Sequence, residues 1–238
     1  MKKAIVIGAS SGMGRELAKL ISADGYEIGV MARRINLLNE LRSELKGKIH
    51  IKAIDIAESE QAMAALTDFI AEMGGVELVV ISSGTGELNR NLEWRLESEI
   101  IGTNVKGFAA MANVAIHHFI KQGSGHLVGI SSIAALRGGR ISPAYNASKA
   151  FESNYLEGLR QKVTRLRLPI TVTDIKPGFV KTAMAKGDGL FWLASPDKAA
   201  RQIYAAIKRK ASVVYITRRW RLIAWLLKVI PGWIYEKM

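Results

Sequence analysis

Short runs dominated by Val and Ile alternate with helical patterns along almost the whole chain, and that alternation limits the fold more than any other feature. The runs fall at residues 3–8, 27–32, 49–54, 77–82, 126–131, 170–175 and 212–216. Helical patterns lie between or after them at 12–23, 36–45, 58–73, 96–121, 145–166 and 196–208. A strand that is apolar on both faces needs cover on both faces. Strands separated by helices are joined by crossovers and run parallel. The expectation is an α/β protein, a doubly wound seven-stranded parallel sheet with helices on both faces. It forms a single domain over 1–217, followed by a tail at 218–238.

Composition supports one well-filled core. Of 238 residues, 49% are hydrophobic, enough for one domain of this size. There is no cysteine, which excludes disulfides, thiolate zinc sites and cysteine nucleophiles and fits a reducing, cytoplasmic setting. The apolar run after Met1-Lys2-Lys3 is too short for a signal peptide and reads as the first strand. No stretch approaches the ~20 apolar residues of a membrane span. The four histidines (His50, His117, His118, His126) are dispersed and suggest no metal site. Net charge is +13, distributed unevenly: residues 1–120 hold 13 Lys/Arg and 15 Asp/Glu, residues 121–238 hold 21 and 6. A basic C-terminal half either attracts an anionic partner or is a solvated, solubilising surface.

Between the first run and the first helix stands Gly8-Ala9-Ser10-Ser11-Gly12-Met13-Gly14. A glycine turn at that junction lets backbone N–H groups and the helix N-terminus approach a phosphate. At the end of the second run, NAD recognition would call for a carboxylate. The chain instead has Arg33 and Arg34, with no acidic residue between Glu27 and Glu40. Guanidinium forks suit a 2′-phosphate and favour NADP; otherwise both arginines are solvated residues opening a helix. Asp55, after the third run, either reaches an adenine edge or caps the next helix.

Tyr145 and Lys149 are four residues apart, one turn along a helix face. A nearby ammonium stabilises a phenolate, so Tyr145 can exchange a proton below the ordinary tyrosine pKa of ~10. Ser132 precedes Tyr145 by 13 residues, and Ser131 is one residue off that spacing. Asn104 lies in Thr103-Asn104-Val105-Lys106-Gly107, and Pro177-Gly178-Phe179-Val180-Lys181-Thr182 follows the sixth run. Together with the glycine turn, these motifs resemble the short-chain dehydrogenase/reductase family, over nearly the whole chain.

The resemblance implies a Rossmann-type fold and an NADP-dependent oxidoreductase that interconverts a carbonyl and an alcohol. Tyr145 would be the general acid or base, and Lys149 would tune it and bond the nicotinamide ribose. Ser132 would donate to the carbonyl oxygen, and Asn104 would hold a water between Lys149 and solvent. Pro177, Gly178, Val180 and Thr182 would line the nicotinamide, with Thr182 on its carboxamide. Dimers or tetramers would form through helices at about 97–121 and 145–166. Singly, each residue also has a plain structural reading: Ser132 ends a strand, Asn104 bonds backbone at a helix irregularity, Tyr145 is a half-buried aromatic. The chain departs from the family at Ile81-Ser82-Ser83-Gly84, where Asn-Asn-Ala-Gly is usual. Gly84 keeps the close backbone approach, and neither Ser82 nor Ser83 is assigned a role. A catalytically silent dinucleotide sensor on the same scaffold is the alternative, but such a sensor need not keep Asn104, Ser132, Tyr145 and Lys149 together.

Residues 183–195 resemble the family's substrate lid. Gly187 and Gly189 suit mobility, while Leu190, Phe191, Trp192 and Leu193 either meet an apolar, lipid-like substrate or pack on the subunit. Ser195-Pro196 starts the next helix. Residues 208–238 carry eight Lys/Arg against one Glu, together with Trp220, Trp225 and Trp233. A helix there gathers Leu222, Ile223, Leu226, Leu227 and Ile230 on one stripe, opposite Arg218, Arg221 and Lys228, and Pro231-Gly232 breaks it. Such a helix either lies on an anionic membrane surface or packs on the protein. No helix-turn-helix, zinc or RNA-sheet signature is present, so the reading includes no nucleic-acid partner.

Overall fold

The strands are β1 (Lys3–Ile7), β2 (Glu27–Ala32), β3 (Ile49–Ala53), β4 (Leu78–Ile81), β5 (Gly125–Ile130), β6 (Ile170–Pro177) and β7 (Val213–Ile216). Between and after them lie α1 (Gly12–Ala23), α2 (Ile35–Glu44), α3 (Ser59–Glu72), α4 (Trp94–Ile100), α5 (Phe108–Gln122), α6 (Pro143–Arg165), α7 (Pro196–Lys208), α8 (Trp220–Val229) and α9 (Gly232–Tyr235). In the computed structural model, which describes residues 2–182, 184 and 191–237, all strand pairs are parallel. The order is β3-β2-β1-β4-β5-β6-β7. Connections run outward from β1 on one side and from β4 on the other, so the crevice at the carboxyl ends of β1 and β4 is the switch point where open α/β sheets bind ligands.

Successive strand residues face opposite sides, and both sides are buried. Ile5, Ile7, Val79 and Ile81 meet α3, α5 and α6, while Ala4, Val6, Leu78 and Val80 meet α1, α2 and α7. This is why the strands read as continuous apolar runs. Phe69, Phe108 and Phe119 are fully buried in the first layer, each contributing about 1.5–3 kcal/mol.

One expectation needs correction and another needs refinement. The helix expected at 96–121 is not uninterrupted: a π-helical turn (Ile101–Gly107) separates α4 from α5. Its wider i→i+5 bonding accommodates Asn104, which is fully buried and bonds out of the helix. The tail's apolar stripe is divided between the protein and solvent. Trp220 and Ala224 are buried, and Ile223 and Leu227 pack beside them. Leu222, Trp225, Leu226 and Val229 face outward and are exposed. The stripe is broad because the helix docks on the protein with one part of it and presents the other. Pro231 does break it, and α9 follows, with Trp233 and Ile234 exposed. Among the described residues no helix is long and apolar enough to cross a membrane.

Candidate active site

The glycine turn sits at the switch point. Gly8 has φ +89°, and a Cβ there would lie 2.5 Å from the Ser83 backbone nitrogen, so the β1 and β4 ends touch through it. A Cβ on Gly14 would lie 2.3 Å from the Gly8 carbonyl oxygen, which seats α1 against the turn. Gly12 and Met13 open α1, Gly12 faces the Thr182 methyl, and the Ser11 side chain makes no capping bond. The first-turn N–H groups of α1 are thereby free for an anion. One guanidinium nitrogen of Arg34 donates to Ser10 Oγ and Ser11 Oγ, both at 2.9 Å. Arg33 is mostly exposed and lies 3.8 Å from Asp55. The Asp55 carboxylate also accepts from Ala57 N–H at 3.1 Å. It closes the turn before α3, whose N-cap is Glu58. These residues bring glycine backbone, a helix N-terminus and a guanidinium together and fit a phosphate-bearing dinucleotide.

At the carboxyl end of β5, alternation separates two neighbouring serines. Ser131 is buried and donates to Asp174 and to the Ile175 carbonyl. Ser132 points the other way, and its Oγ accepts from Ala134 N–H at 3.1 Å. That leaves the Ser132 O–H proton available to a ligand. The Tyr145 ring lies against Gly86, and its hydroxyl makes no hydrogen bond with the described residues. Lys149 is 5% exposed, with Nζ 5.9 Å from the Tyr145 ring centroid. Gly84 lies beside Lys149 Nζ and Asn104 Oδ1. The Asn104 amide pairs with Thr85 N–H and C=O, both at 2.8 Å, and donates to Ser148 Oγ at 3.0 Å. Ser148 in turn donates to the Tyr145 carbonyl. Asn104 therefore ties the β4 end to the tyrosine turn of α6.

Pro177 ends β6, and Gly178, Phe179 and Val180 carry the chain to Lys181 and Thr182. Lys181 N–H donates to the Ala194 carbonyl and Ala194 N–H to the Phe179 carbonyl, which joins this segment to the residues just before α7. Ala183 and residues 185–190, including Gly187, Gly189 and Leu190, lie outside the described residues. Phe191 and Trp192 pack on Trp220, at 5.1 and 6.0 Å between centroids, while staying partly exposed. Ser195 caps α7 by accepting from Lys198 N–H. The four histidines have structural partners: Glu27 for His50, Asn113 for His117, the Val76 backbone for His118 and Thr173 for His126.

Residues 2–189 match the family model described as short chain dehydrogenase. The chain belongs to the short-chain dehydrogenases. An uncharacterized oxidoreductase of Myxococcus xanthus is 36% identical over 188 residues, which cover 77% of this chain and 74% of that protein. A short-chain dehydrogenase from Sphingobium yanoikuyae, solved in complex with NADPH, superposes with a TM-score of 0.82 at 19% identity and covers 98% of this chain and 97% of its own. A 3-oxoacyl-[acyl-carrier protein] reductase from Brucella melitensis, solved with NAD, gives 0.76 at 18% identity over 90% and 94%. Such neighbours show the fold and bind either nicotinamide cofactor. The protein is an oxidoreductase of the short-chain dehydrogenase family.

Sequence reasoning missed three residues that pack on or around this candidate site. Glu152 is fully buried, and both its oxygens accept from Lys149 Nζ, at 2.8 and 2.9 Å. Burial pushes its carboxyl up to about 7, against the pull of Lys149. Burial also works against the Lys149 charge, but Glu152, Tyr145 and Asp174 outweigh it and raise the ammonium's pKa. The second is Arg137, in the loop between Ser132 and Tyr145. It donates to the Ile230 carbonyl at 3.1 Å and lies 4.4 Å over the Tyr235 ring. Tyr235 donates to the Gly138 carbonyl. The third is Trp220, packed so closely on Gly178 that a Cβ there would fall 2.0 Å from the indole. The signal for Glu152 was the α6 stripe 149, 152, 156, 159, 163, whose other members Leu156, Leu159 and Val163 are core.

Proposed function

We propose that the protein is an NADPH-dependent oxidoreductase that interconverts a carbonyl and a hydroxyl group on an apolar, lipid-like substrate. The observation that carries this reading is a pair of hydroxyl protons, on Ser132 and Tyr145, that no described residue accepts, beside a buried lysine. A nicotinamide cofactor, once bound, would supply or accept the hydride. Ser132 donates a hydrogen bond to the substrate oxygen and stabilises charge developing there. Tyr145 gives that oxygen its proton in reduction and removes it in oxidation. Lys149 holds positive charge beside the tyrosine and, by giving up one of its protein acceptors, would bond the ribose. Asn104 positions the Thr85 backbone and the tyrosine turn. Gly8 and Gly14 pack the turn that would hold the dinucleotide, Gly12 and Gly84 would let it approach the backbone, and Pro177, Gly178, Val180 and Thr182 would form the wall on the nicotinamide side.

The NADPH preference rests on Arg34, held over the glycine turn by Ser10 and Ser11; Arg33 and Asp55 line the same rim. Replacing Arg34 by Ala removes a charge-assisted pair of bonds, worth roughly 1.5–3 kcal/mol each. Fluorescence titration should then show NADPH binding weakened on the order of 100-fold, about 2.7 kcal/mol, with NADH nearly unaffected. Equal losses for both cofactors would remove the argument for a 2′-phosphate site.

The apolar substrate and a membrane setting are supported by one surface. Leu222, Trp225, Leu226, Val229 and Trp233 are exposed and are flanked by exposed Arg218, Arg219, Arg221 and Lys228. An exposed Trp/Leu face rimmed by cations complements an anionic bilayer. Because Trp220 is buried, deletion of 218–238 would damage the fold, and point changes are the cleaner test. Trp225→Ala with Trp233→Ala should weaken sedimentation with phosphatidylserine vesicles by roughly tenfold or more and leave thermal stability unchanged. Equal binding by the variant, or none by the parent, refutes the membrane face. We assign the contact of a homodimer or homotetramer to α4–α6, where Phe151 and Tyr155 stack at 5.5 Å.

A further inference from the structure

All three protons of the Lys149 ammonium have acceptors inside the protein: two on Glu152 and one on the Ile130 carbonyl, at 3.2 Å. Glu152 itself is 0% exposed. The charged groups facing it are Lys149 on α6 and Asp174 and Lys176 on β6, and Tyr145 faces the same Lys149 ammonium. Asp174 already has partners in Ser131, Ser153 and Lys176, the last at 2.8 Å. The cluster thus contains two ammonium and two carboxylate groups, paired one to one. Lys149 has no other carboxylate within ion-pair distance among the described residues. The i,i+3 spacing on one helix fixes this pair before any ligand arrives.

A lone buried ammonium would strongly stabilise a phenolate beside it. A bidentate carboxylate on the ammonium offsets that field, because the two opposite charges share the same poorly screened interior. We propose that Glu152 is a positioning residue that offsets the charge of Lys149 and so favours the proton-donating form of the Tyr145 hydroxyl. The proposal rests on the reading of Tyr145 as the proton donor, and it implies that the site is set up for carbonyl reduction, the direction that consumes that proton. Burial holds the Glu152 carboxyl near neutrality. The offset is therefore in force on the alkaline side, where tyrosine ionisation is read.

Glu152→Gln keeps the shape and one acceptor for Lys149 but removes the charge. In the protein without cofactor, alkaline titration of the near-ultraviolet tyrosinate absorbance, taken as the difference from Tyr145→Phe in each background, isolates Tyr145 among the six tyrosines. The midpoint should fall by about one pH unit or more in Glu152→Gln, the size expected for removing a nearby buried charge. Glu152→Asp, which keeps the charge, should restore it. With NADPH and a ketone, the alkaline limb of the reduction profile should move to lower pH by a similar amount. An unchanged or raised midpoint in Glu152→Gln, or equal shifts in Glu152→Gln and Glu152→Asp, overturns the proposal, since a merely structural role would lower activity without moving the profile. The titration needs neither cofactor nor substrate. A shifted midpoint in a protein that reduces no carbonyl would therefore refute the proposed reaction while upholding the charge offset.

Discussion

Replacing Tyr145 by Phe is expected to lower turnover by about 10³-fold, within the range that a positioned general acid contributes. NADPH affinity should change little. The Tyr145 hydroxyl makes no hydrogen bond with the described residues, so its loss leaves no buried partner unsatisfied. The turn that carries it is held through its backbone carbonyl by Ser148, and Ser148 by Asn104. The variant should therefore keep its melting temperature and cofactor titration curve. Single-turnover hydride transfer with a ketone panel would measure the loss. Activity within a few-fold of the parent would show that another group, Ser132 being the nearest alternative in chemistry, delivers the proton.

Replacing Trp220 by Ala is expected to produce the largest change in stability, a loss of about 3–5 kcal/mol, the usual cost of deleting a buried aromatic side chain. Its indole fills the space over Gly178, meets Phe179 edge-on at 5.2 Å and stacks on Phe191 at 5.1 Å. Urea unfolding followed by circular dichroism should show an earlier midpoint with an unchanged slope. Because Gly178 belongs to the proposed nicotinamide wall and Phe179 is its neighbour in that segment, cofactor affinity should fall as well. A loss below about 1 kcal/mol would mean that residues 218–237 are an appendage and not part of the folded unit.

The sheet was readable because both faces of each strand are covered. The runs at 27–32 and 12–23 coincide with β2 and α1 to the residue, and Ser195-Pro196 marks the start of α7 through ordinary capping chemistry. Ser132 was separable from Ser131 by spacing, and strand alternation gives the physical reason: one faces the Asp174 cluster and the other the opening. What escaped depended on depth. Glu152 reads as a solvated helix charge until its stripe is seen to be core. Arg33 and Arg34 are alike in sequence, yet only Arg34 reaches Ser10 and Ser11. The π-helical turn has no compositional mark, since it arises from Asn104 bonding to a loop 19 residues earlier. The tail helix has a broad apolar arc beside a narrow Arg221/Lys228 stripe, so a helical projection could not show which part of the arc was buried.

The contacts of Arg137 bear on attempts to redesign specificity. The loop between Ser132 and Tyr145 is held to α6 by Asn146, and to the C-terminal segment by Arg137 on the end of α8 and by Tyr235 on Gly138. Grafting that loop from a relative without its matching C-terminus would strip α8 of its guanidinium cap and leave Tyr235 without its acceptor. Residues 133–140 and 218–237 are one transplantable module, and chimeras should exchange them together.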